Sequence, residues 1–354
     1  MKECVVVAMS GGVDSSVAAA LLKEQGYEVI GITMCFNLPD SETKKPHCCG
    51  LQGIEDARRV AHKLGIRHYV LNMQKELEKW VIKDFCQEYL NGRTPNPCVR
   101  CNQYIKFDAL LKKARALGAK FMATGHYARI EKIQSYLLKK AKDKTKDQSY
   151  FLYRLNQKQL RHILFPLGDY TKDKVRKFAR EFALPVADKL ASQEICFSPG
   201  ADYRGFLKVR LAAAIKPGLI TDTEGNMLGK HKGIAFYTIG QREGLGIAKG
   251  YPVYVTKIDP KNNQITLGKR EDVYNKEFLV ETPHFILGVI KKKIAAKVRI
   301  RYNHQEAKAV IVPFGNMIKV KFKKPQFAIT PGQAAVFYNK DTVVGGGTIA
   351  KILT

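Results

Sequence analysis

The sequence predicts an α/β domain built on a parallel sheet, followed by a small central domain and a C-terminal β-barrel. Three observations predict it. Apolar strand-like runs alternate with helical stripes in the first half of the chain. From about Phe206 the pattern changes to short segments punctuated by proline and glycine. The first strand runs directly into a glycine-rich turn that opens a helix, as at the carboxyl edge of an open α/β sheet. The expected divisions are 1–205, 206–272 and 273–354.

Each element has its own signal. Val5–Ala8 is a short apolar strand. Val13–Gln25 carries an apolar stripe and stops at Gly26, a residue that ends helices well. Glu28–Met34 is the next strand. Ile54, Ala57, Val60, Ala61 and Leu64 recur at helical spacing and end at Gly65. His68–Leu71 reads as a strand and Glu76–Leu90 as a helix ending at Gly92. Lys106–Leu117 is a helix closed by Gly118, and Phe121–Thr124 a strand. Lys139–Ser149 is a polar, lysine-rich loop, Thr171–Phe182 a helix with Pro185 beyond it, and Lys189–Pro199 has no strong period. In the second half Ile234–Ile239, Val253–Ile258, Gln264–Leu267, Ala296–Arg301, Ala307–Val312, Met317–Phe322, Ala334–Tyr338 and Val343–Ile349 read as strands. Lys319-Val320-Lys321-Phe322 alternates in polarity, the pattern of a strand with one buried face.

Composition narrows the function. The chain has 354 residues, 45% hydrophobic and 26% charged, so wholesale disorder is excluded. Its apolar runs are far shorter than the ~20 residues that span a bilayer. The N-terminus lacks the long apolar stretch and cleavage site of a secretory signal, so the expectation is a cytoplasmic protein without a membrane segment. Lysine and arginine number 60 against 32 acidic residues, a net charge of +28 spread along the chain. Such an excess suits a polyanion, either nucleic acid or an anionic membrane surface. Eight cysteines are too few for a disulfide scaffold, and reduced thiols are expected.

Met9-Ser10-Gly11-Gly12-Val13-Asp14-Ser15-Ser16 follows the first strand. Paired glycines let the backbone approach a ligand closely, and the helix start presents free N–H groups and a positive dipole end. Ser10, Ser15 and Ser16 add hydroxyls, so the loop can cradle a polyphosphate. It lacks the Gly-Lys-Ser/Thr ending of a Walker loop, so no lysine of the loop reaches the terminal phosphates. The order Ser-Gly-Gly-x-Asp-Ser resembles the loop of enzymes that split ATP into AMP and pyrophosphate. Asp14 then suits Mg²⁺ or the pyrophosphate shell.

Thr94-Pro95-Asn96-Pro97-Cys98-Val99-Arg100-Cys101-Asn102 is the second distinctive segment. A Cys-x-x-Cys at such a turn can bind metal, form a disulfide or present a reactive thiolate. A third thiol, Cys196, stands in Ser192–Gly200. His47-Cys48-Cys49 reads as structural, and Cys4, Cys35 and Cys86 as core residues. Gly125-His126-Tyr127-Ala128-Arg129 follows a buried strand and so belongs at the sheet's carboxyl edge.

Together Met9–Ser16, Thr94–Asn102, Ala123–Arg129, Lys146–Leu152, Ser192–Gly200, Tyr237–Arg242 and Thr330–Gln333 resemble the tRNA-specific 2-thiouridylase family, in consistent order along essentially the whole chain. The resemblance implies ATP and Mg²⁺ as cofactors and tRNA as substrate. ATP would adenylate the C2 oxygen of the wobble uridine, and a protein-borne sulfur would displace AMP. Cys196 would accept a persulfide sulfur from an upstream carrier. Cys101 would release that sulfur and leave a Cys101–Cys196 disulfide. Ala8, Met9, Ser10, Gly11, Gly12, Val13, Asp14, Ser15, Met34 and Gly125 would contact the nucleotide. Asn96, Pro97 and Cys98 would border the target base. His126, Lys146, Asp147, Gln148, Arg301, Tyr302 and Gln333 would touch tRNA.

Some relatives carry Asp where this chain has Cys98, and a thiol cannot inherit a carboxylate's acid–base role. Cys98, Cys101 and Cys196 could instead be three ligands of a 4Fe-4S cluster. Two rivals stand beside this reading. An amide-forming ATP pyrophosphatase would share the loop but require neither cysteine segment nor the charge. A non-catalytic RNA-binding protein would share the charge but not require Gly11, Gly12, Asp14, Cys101 and Cys196.

Overall fold

The computed structural model describes residues 2–36, 51–190, 196–197 and 203–353. The readings on His47, Cys48 and Cys49, and on Ser192–Gly200 apart from Cys196 and Phe197, fall outside these residues. The chain forms two compact units. One comprises Met1–Val81, Cys98–Tyr203 and Asp341–Val343; the other comprises Ile82–Pro97, Arg204–Lys340 and Val344–Thr354.

In the first unit, strands β1 (Cys4–Ala8), β2 (Glu28–Cys35), β3 (Arg67–Asn72), β4 (Phe121–Thr124) and a two-residue strand Ile163–Leu164 form one parallel sheet. The order is β3-β2-β1-β4 with Ile163–Leu164 at the edge. Succession runs outward in both directions from β1, so the crevice between the carboxyl ends of β1 and β4 is the switch point at which such sheets bind ligands. Helix α1 (Val13–Glu24) buries Val13 and every residue from Ser15 to Leu22, as its nearly continuous apolar surface demands. It ends through Gly26, with φ +88°, whose N–H bonds the Lys23 carbonyl. Helix α2 (Leu51–Leu64) buries the expected stripe Ile54, Ala57, Val60, Ala61 and Leu64. Ala128–Lys132 and Tyr136–Lys140 pair as an antiparallel hairpin. The loop read as starting at Lys139 therefore begins two residues later, at Ala141.

The helix expected at Lys106–Leu117 starts earlier. The chain turns helical at Pro97, passes through a π-helical stretch at Cys101–Leu110 and ends as an α-helix at Ala116. Pro97 occupies the first helical position, where its missing N–H costs nothing and its fixed φ suits a helix. Cys98-x-x-Cys101 consequently lies along a helix rather than in a turn. Glu78–Ile82 is a second π-helical stretch, inside the helical run Gln74–Leu90.

In the second unit, Gly218–Thr221, Met227–His231, Tyr254–Asp259 and Gln264–Gly268 form a four-stranded sheet. Ile234–Ile239 is not a strand: Ile234–Phe236 is a 3₁₀ turn. Ile234, Ala235 and Phe236 are all buried, so the alternation of a half-exposed strand is missing. Six further strands follow: Tyr274–Phe285, Ile294–Arg299, Ala307–Phe314, Met317–Phe327, Ala334–Asn339 and Thr342–Leu353. The first pairs with the last, which closes the barrel. Ile318, Val320 and Phe322 point inward with Phe278, Val298, Ile311 and Phe337, while Lys319, Lys321 and Lys323 face out or lie at the rim. The expected α/β domain and C-terminal barrel are thus both present. No helix among the described residues is long and apolar enough to cross a membrane.

Candidate active site

The glycine loop lies where β1 ends. Gly11 has φ +72°, a conformation that side chains rarely adopt. A Cβ there would stand 2.2 Å from the Gly53 carbonyl oxygen, so α2 packs directly on the loop. Gly12 caps α1 with extended dihedrals and no side-chain bond of its own. Ser15 Oγ accepts from the Ser10 N–H at 3.1 Å, and Ser16 Oγ donates to the Gly12 carbonyl at 2.9 Å. These hydroxyls hold the loop closed on itself; Ser16 is fully buried and faces the protein rather than a ligand.

A cavity of about 200 Å³ opens at the switch point. Ala8, Met9, Ser10, Asp14, Ser15, Met34 and Gly125 line it, so seven of the ten residues expected at the nucleotide meet there. Gly11, Gly12 and Val13 complete the loop but do not line the cavity; the Val13 side chain belongs to the core. Gly125 is needed because a Cβ would fall 2.7 Å from the Asp14 carbonyl carbon and the Ser15 nitrogen. His126 and Gln148, expected at tRNA, line the same cavity, as do Lys106 and Thr124.

The chemistry of the walls is specific. His126 Nδ1 pairs with Thr124 Oγ1 at 2.7 Å. Burial first, and the Lys106 cation second, push the imidazole well below its ordinary range, so it is neutral. Asp14 Oδ1 accepts from the Tyr127 hydroxyl at 2.8 Å and from Lys172 Nζ at 2.5 Å. Burial and the neighbouring Asp14 carboxylate hold the Tyr127 phenol protonated. A second lysine, Lys189, donates to the Gly11 carbonyl at 3.0 Å and to Asp56 Oδ2 at 2.6 Å. Burial opposes the Asp56 charge, but Lys189 and Arg59 outweigh it and hold the carboxyl below its usual range. Sequence reasoning missed Lys172 and Lys189, which reach the loop from far along the chain and belong to no local motif. Thr124 and Tyr127 lie within Ala123–Arg129, and Lys106 opens the expected helix Lys106–Leu117.

The remaining expected residues, Gln148 apart, do not line this cavity. Cys98 is exposed, Cys101 buried and Cys196 half-buried; Cys4, Cys35 and Cys86, expected in the core, are half-buried too. Asn96 is half-buried and Pro97 buried. Asp147 is buried, its carboxylate accepting from the Ala141 and Ser149 N–H groups and the Ser149 hydroxyl. Lys146 is half-buried beside it. Gln148 Oε1 accepts from the Tyr127 N–H at 3.0 Å. In the other unit, Arg301 donates to the Ile239 carbonyl at 2.9 Å and to the Thr330 hydroxyl. Arg299 donates to the Tyr302 carbonyl. Gln333 Nε2 donates to the carbonyls of Thr94 and Pro95.

For Mg²⁺, Asp14 is the carboxylate on the cavity wall, which suits an ion bound by one carboxylate and substrate phosphates. For a cluster the fit is poor: among the described residues no three His, Cys, Asp or Glu side chains are gathered to hold a metal. Cys98, Cys101 and Cys196 therefore do not form a ready ligand set.

Residues 3–200 match the family model of a tRNA methyl transferase HUP domain. Residues 204–269 match a tRNA methyl transferase PRC-barrel domain, and 275–349 an aminomethyltransferase beta-barrel domain. The tRNA-specific 2-thiouridylase MnmA of Clostridium acetobutylicum is 51% identical over 354 residues, covering 99% of this chain and 100% of that protein. That of Halothermothrix orenii is 54% identical over 352 residues, covering 98% of each. Among solved structures, a 4-thiouridine synthetase–RNA complex with bound ATP overlaps 60% of this chain and 51% of its own, at 16% identity and a TM-score of 0.35, too slight a likeness to bear on the reaction. With more than half its residues identical to these full-length relatives, the chain belongs to the tRNA-specific 2-thiouridylase family.

Proposed function

We propose that the protein is a cytoplasmic tRNA-uridine 2-sulfurtransferase that uses ATP and Mg²⁺ to replace the C2 oxygen of the wobble uridine by sulfur. The observation that carries the reading is one compact unit holding the glycine-loop cavity together with Cys101 and Cys196. The cavity's walls suit an ATP whose polyphosphate follows the loop. A pyrimidine carbonyl oxygen is a poor leaving group, so it is first adenylated. The oxygen attacks the α-phosphorus, and pyrophosphate leaves with the electron pair of the broken bond. The Cys101 thiolate then attacks the inner sulfur of a Cys196 persulfide. Hydrosulfide is released and adds at C2, AMP departs, and the resulting disulfide is reduced by a dithiol. An upstream persulfide carrier supplies the sulfur. The neutral His126 and the nearby Gln148 are the groups best placed to meet the base end of the substrate.

The division into 1–205, 206–272 and 273–354 is proposed with it, supported by family matches that break between 200 and 204 and between 269 and 275. Incubating the protein with ATP, a persulfide donor and tRNA lacking the modification tests the function. AMP, pyrophosphate and 2-thiouridine should form in equal amounts. ADP formation, or turnover independent of tRNA, overturns the reading in favour of another ATP-using synthetase. RNA binding without any ATP cleavage would leave only an RNA-binding protein.

A further inference from the structure

We propose that Lys172 is the cation that receives the leaving pyrophosphate, with Asp14 serving as its counter-ion until the polyphosphate arrives. This rests on the adenylation reaction above and adds to it a residue outside every recognised motif. The loop has no lysine of its own, yet pyrophosphate leaves carrying the electron pair of the broken bond to the α-phosphorus. A nearby positive charge lowers the cost of that step. Lys106, the cation on the cavity wall, acts on His126 and so stands at that end. Lys172 stands at the other, on Asp14.

The geometry suits an exchange of partners. Lys172 Nζ lies 2.5 Å from Asp14 Oδ1, and the lysine side chain is 14% exposed against 33% for the aspartate. Asp14 reaches the cavity and shields the ammonium from water. The lysine backbone is fixed: its N–H donates to Asp143 Oδ2 at 3.0 Å, and Thr171 caps the helix Lys172–Glu181 that it begins. The ammonium rides on four flexible methylenes. An incoming polyphosphate repels the Asp14 carboxylate unless a metal bridges them, and it offers Lys172 a more highly charged partner. Tyr127, whose hydroxyl also bonds Asp14, keeps the carboxylate in place once the lysine turns away.

Removing Lys172 alone is ambiguous, because it also leaves Asp14 uncompensated. The test is therefore made in an Asp14→Asn background, by calorimetry with inorganic pyrophosphate in the absence of metal. Adding Lys172→Met should weaken pyrophosphate binding at least tenfold and leave AMP binding within twofold; Lys172→Arg should retain most of the affinity. Equal pyrophosphate affinity with and without Lys172 overturns the proposal and makes the lysine a structural counter-ion. Reductive methylation of wild-type Lys172, followed by mass spectrometry, needs no variant to fold. Pyrophosphate should slow it at least fivefold and AMP should not; an unchanged rate also overturns the proposal. Both readouts are binding measurements, so they stand or fall separately from tRNA-dependent AMP release, which tests the function beneath.

Discussion

Gln333 Nε2 donates to the carbonyl oxygens of both Thr94 and Pro95, at 2.9 Å each. Thr94 is held further by its N–H on the Pro331 carbonyl and by its hydroxyl against that of Thr238. The strap that leads to Asn96, Pro97 and Cys98 is thus pinned from its own unit. Gln333 acts here as a positioning residue.

That relationship yields the first prediction. Each net hydrogen bond contributes about 1 kcal/mol, so Gln333→Ala should lower kcat/KM for tRNA roughly tenfold while the protein stays folded. Gln333→Glu should do worse, because a carboxylate cannot donate and would face two carbonyl oxygens. Steady-state thiolation with the three proteins decides. Wild-type activity in both variants would show that the amide donor has no role in holding the strap.

Tight tRNA binding should depend steeply on salt. The motive is the +28 charge and the lysines flanking Asp143. If about 6 phosphates are neutralised, affinity should fall roughly a thousandfold between about 50 and 200 mM salt. Filter binding across that range measures it. A flat response would assign the charge to solvated surface.

Much of this was legible beforehand because the signals are local. The first strand, α1 and the Ser10–Ser15 loop follow one another within a few residues, and their glycines and apolar stripe dictate the local fold. The barrel strand Met317–Phe327 shows its alternation directly. Tyr274–Phe285 carries no clear strand signal because it mixes Asn275, Lys276, Glu277 and Pro283 into a strand that bulges. Pro97 hid the helix start at the cysteines, since a proline reads as a break until it is placed at a helix's first position. Lys172 and Lys189 were beyond reach, because the Asp14–Lys172 pair joins residues 158 apart and the Lys189–Gly11 bond residues 178 apart.

Stability should fall when the pH drops below about 6.5. His68, His126, His231 and His304 are all held below their ordinary value of 6.5, in each case by burial first. Below 6.5 the unfolded chain binds protons at these sites while the native protein does not, so acid favours unfolding. The loss continues until the native values are reached. The depressed carboxylates, such as Asp56 and Asp143, add their own loss only nearer pH 4. Denaturant midpoints between pH 5 and 8 should therefore show a slope that His126→Gln reduces, by at most ~1.4 kcal/mol per pH unit. An unchanged slope would mean that His126 carries its proton in the native state.

The cysteines divide most sharply. Cys101 is buried at the start of a π-helical stretch, whereas Cys98, one helical turn before it, is exposed. Persulfide transfer requires one thiol to carry sulfur and another to release it, and the proposed pair is Cys196 and Cys101. Cys101→Ala and Cys196→Ala should each abolish thiolation while leaving ATP binding intact. Cys98→Ala should keep a substantial part of the activity, because an exposed thiol outside the pair moves no sulfur. A 4Fe-4S cluster would make the opposite demand: it would need Cys98 as a third ligand, so Cys98→Ala would lose the cluster and the activity together. Anaerobic protein with stoichiometric iron and a Cys98-dependent visible absorption would replace the persulfide route by the cluster route. Full thiolation by Cys101→Ala or Cys196→Ala would remove both.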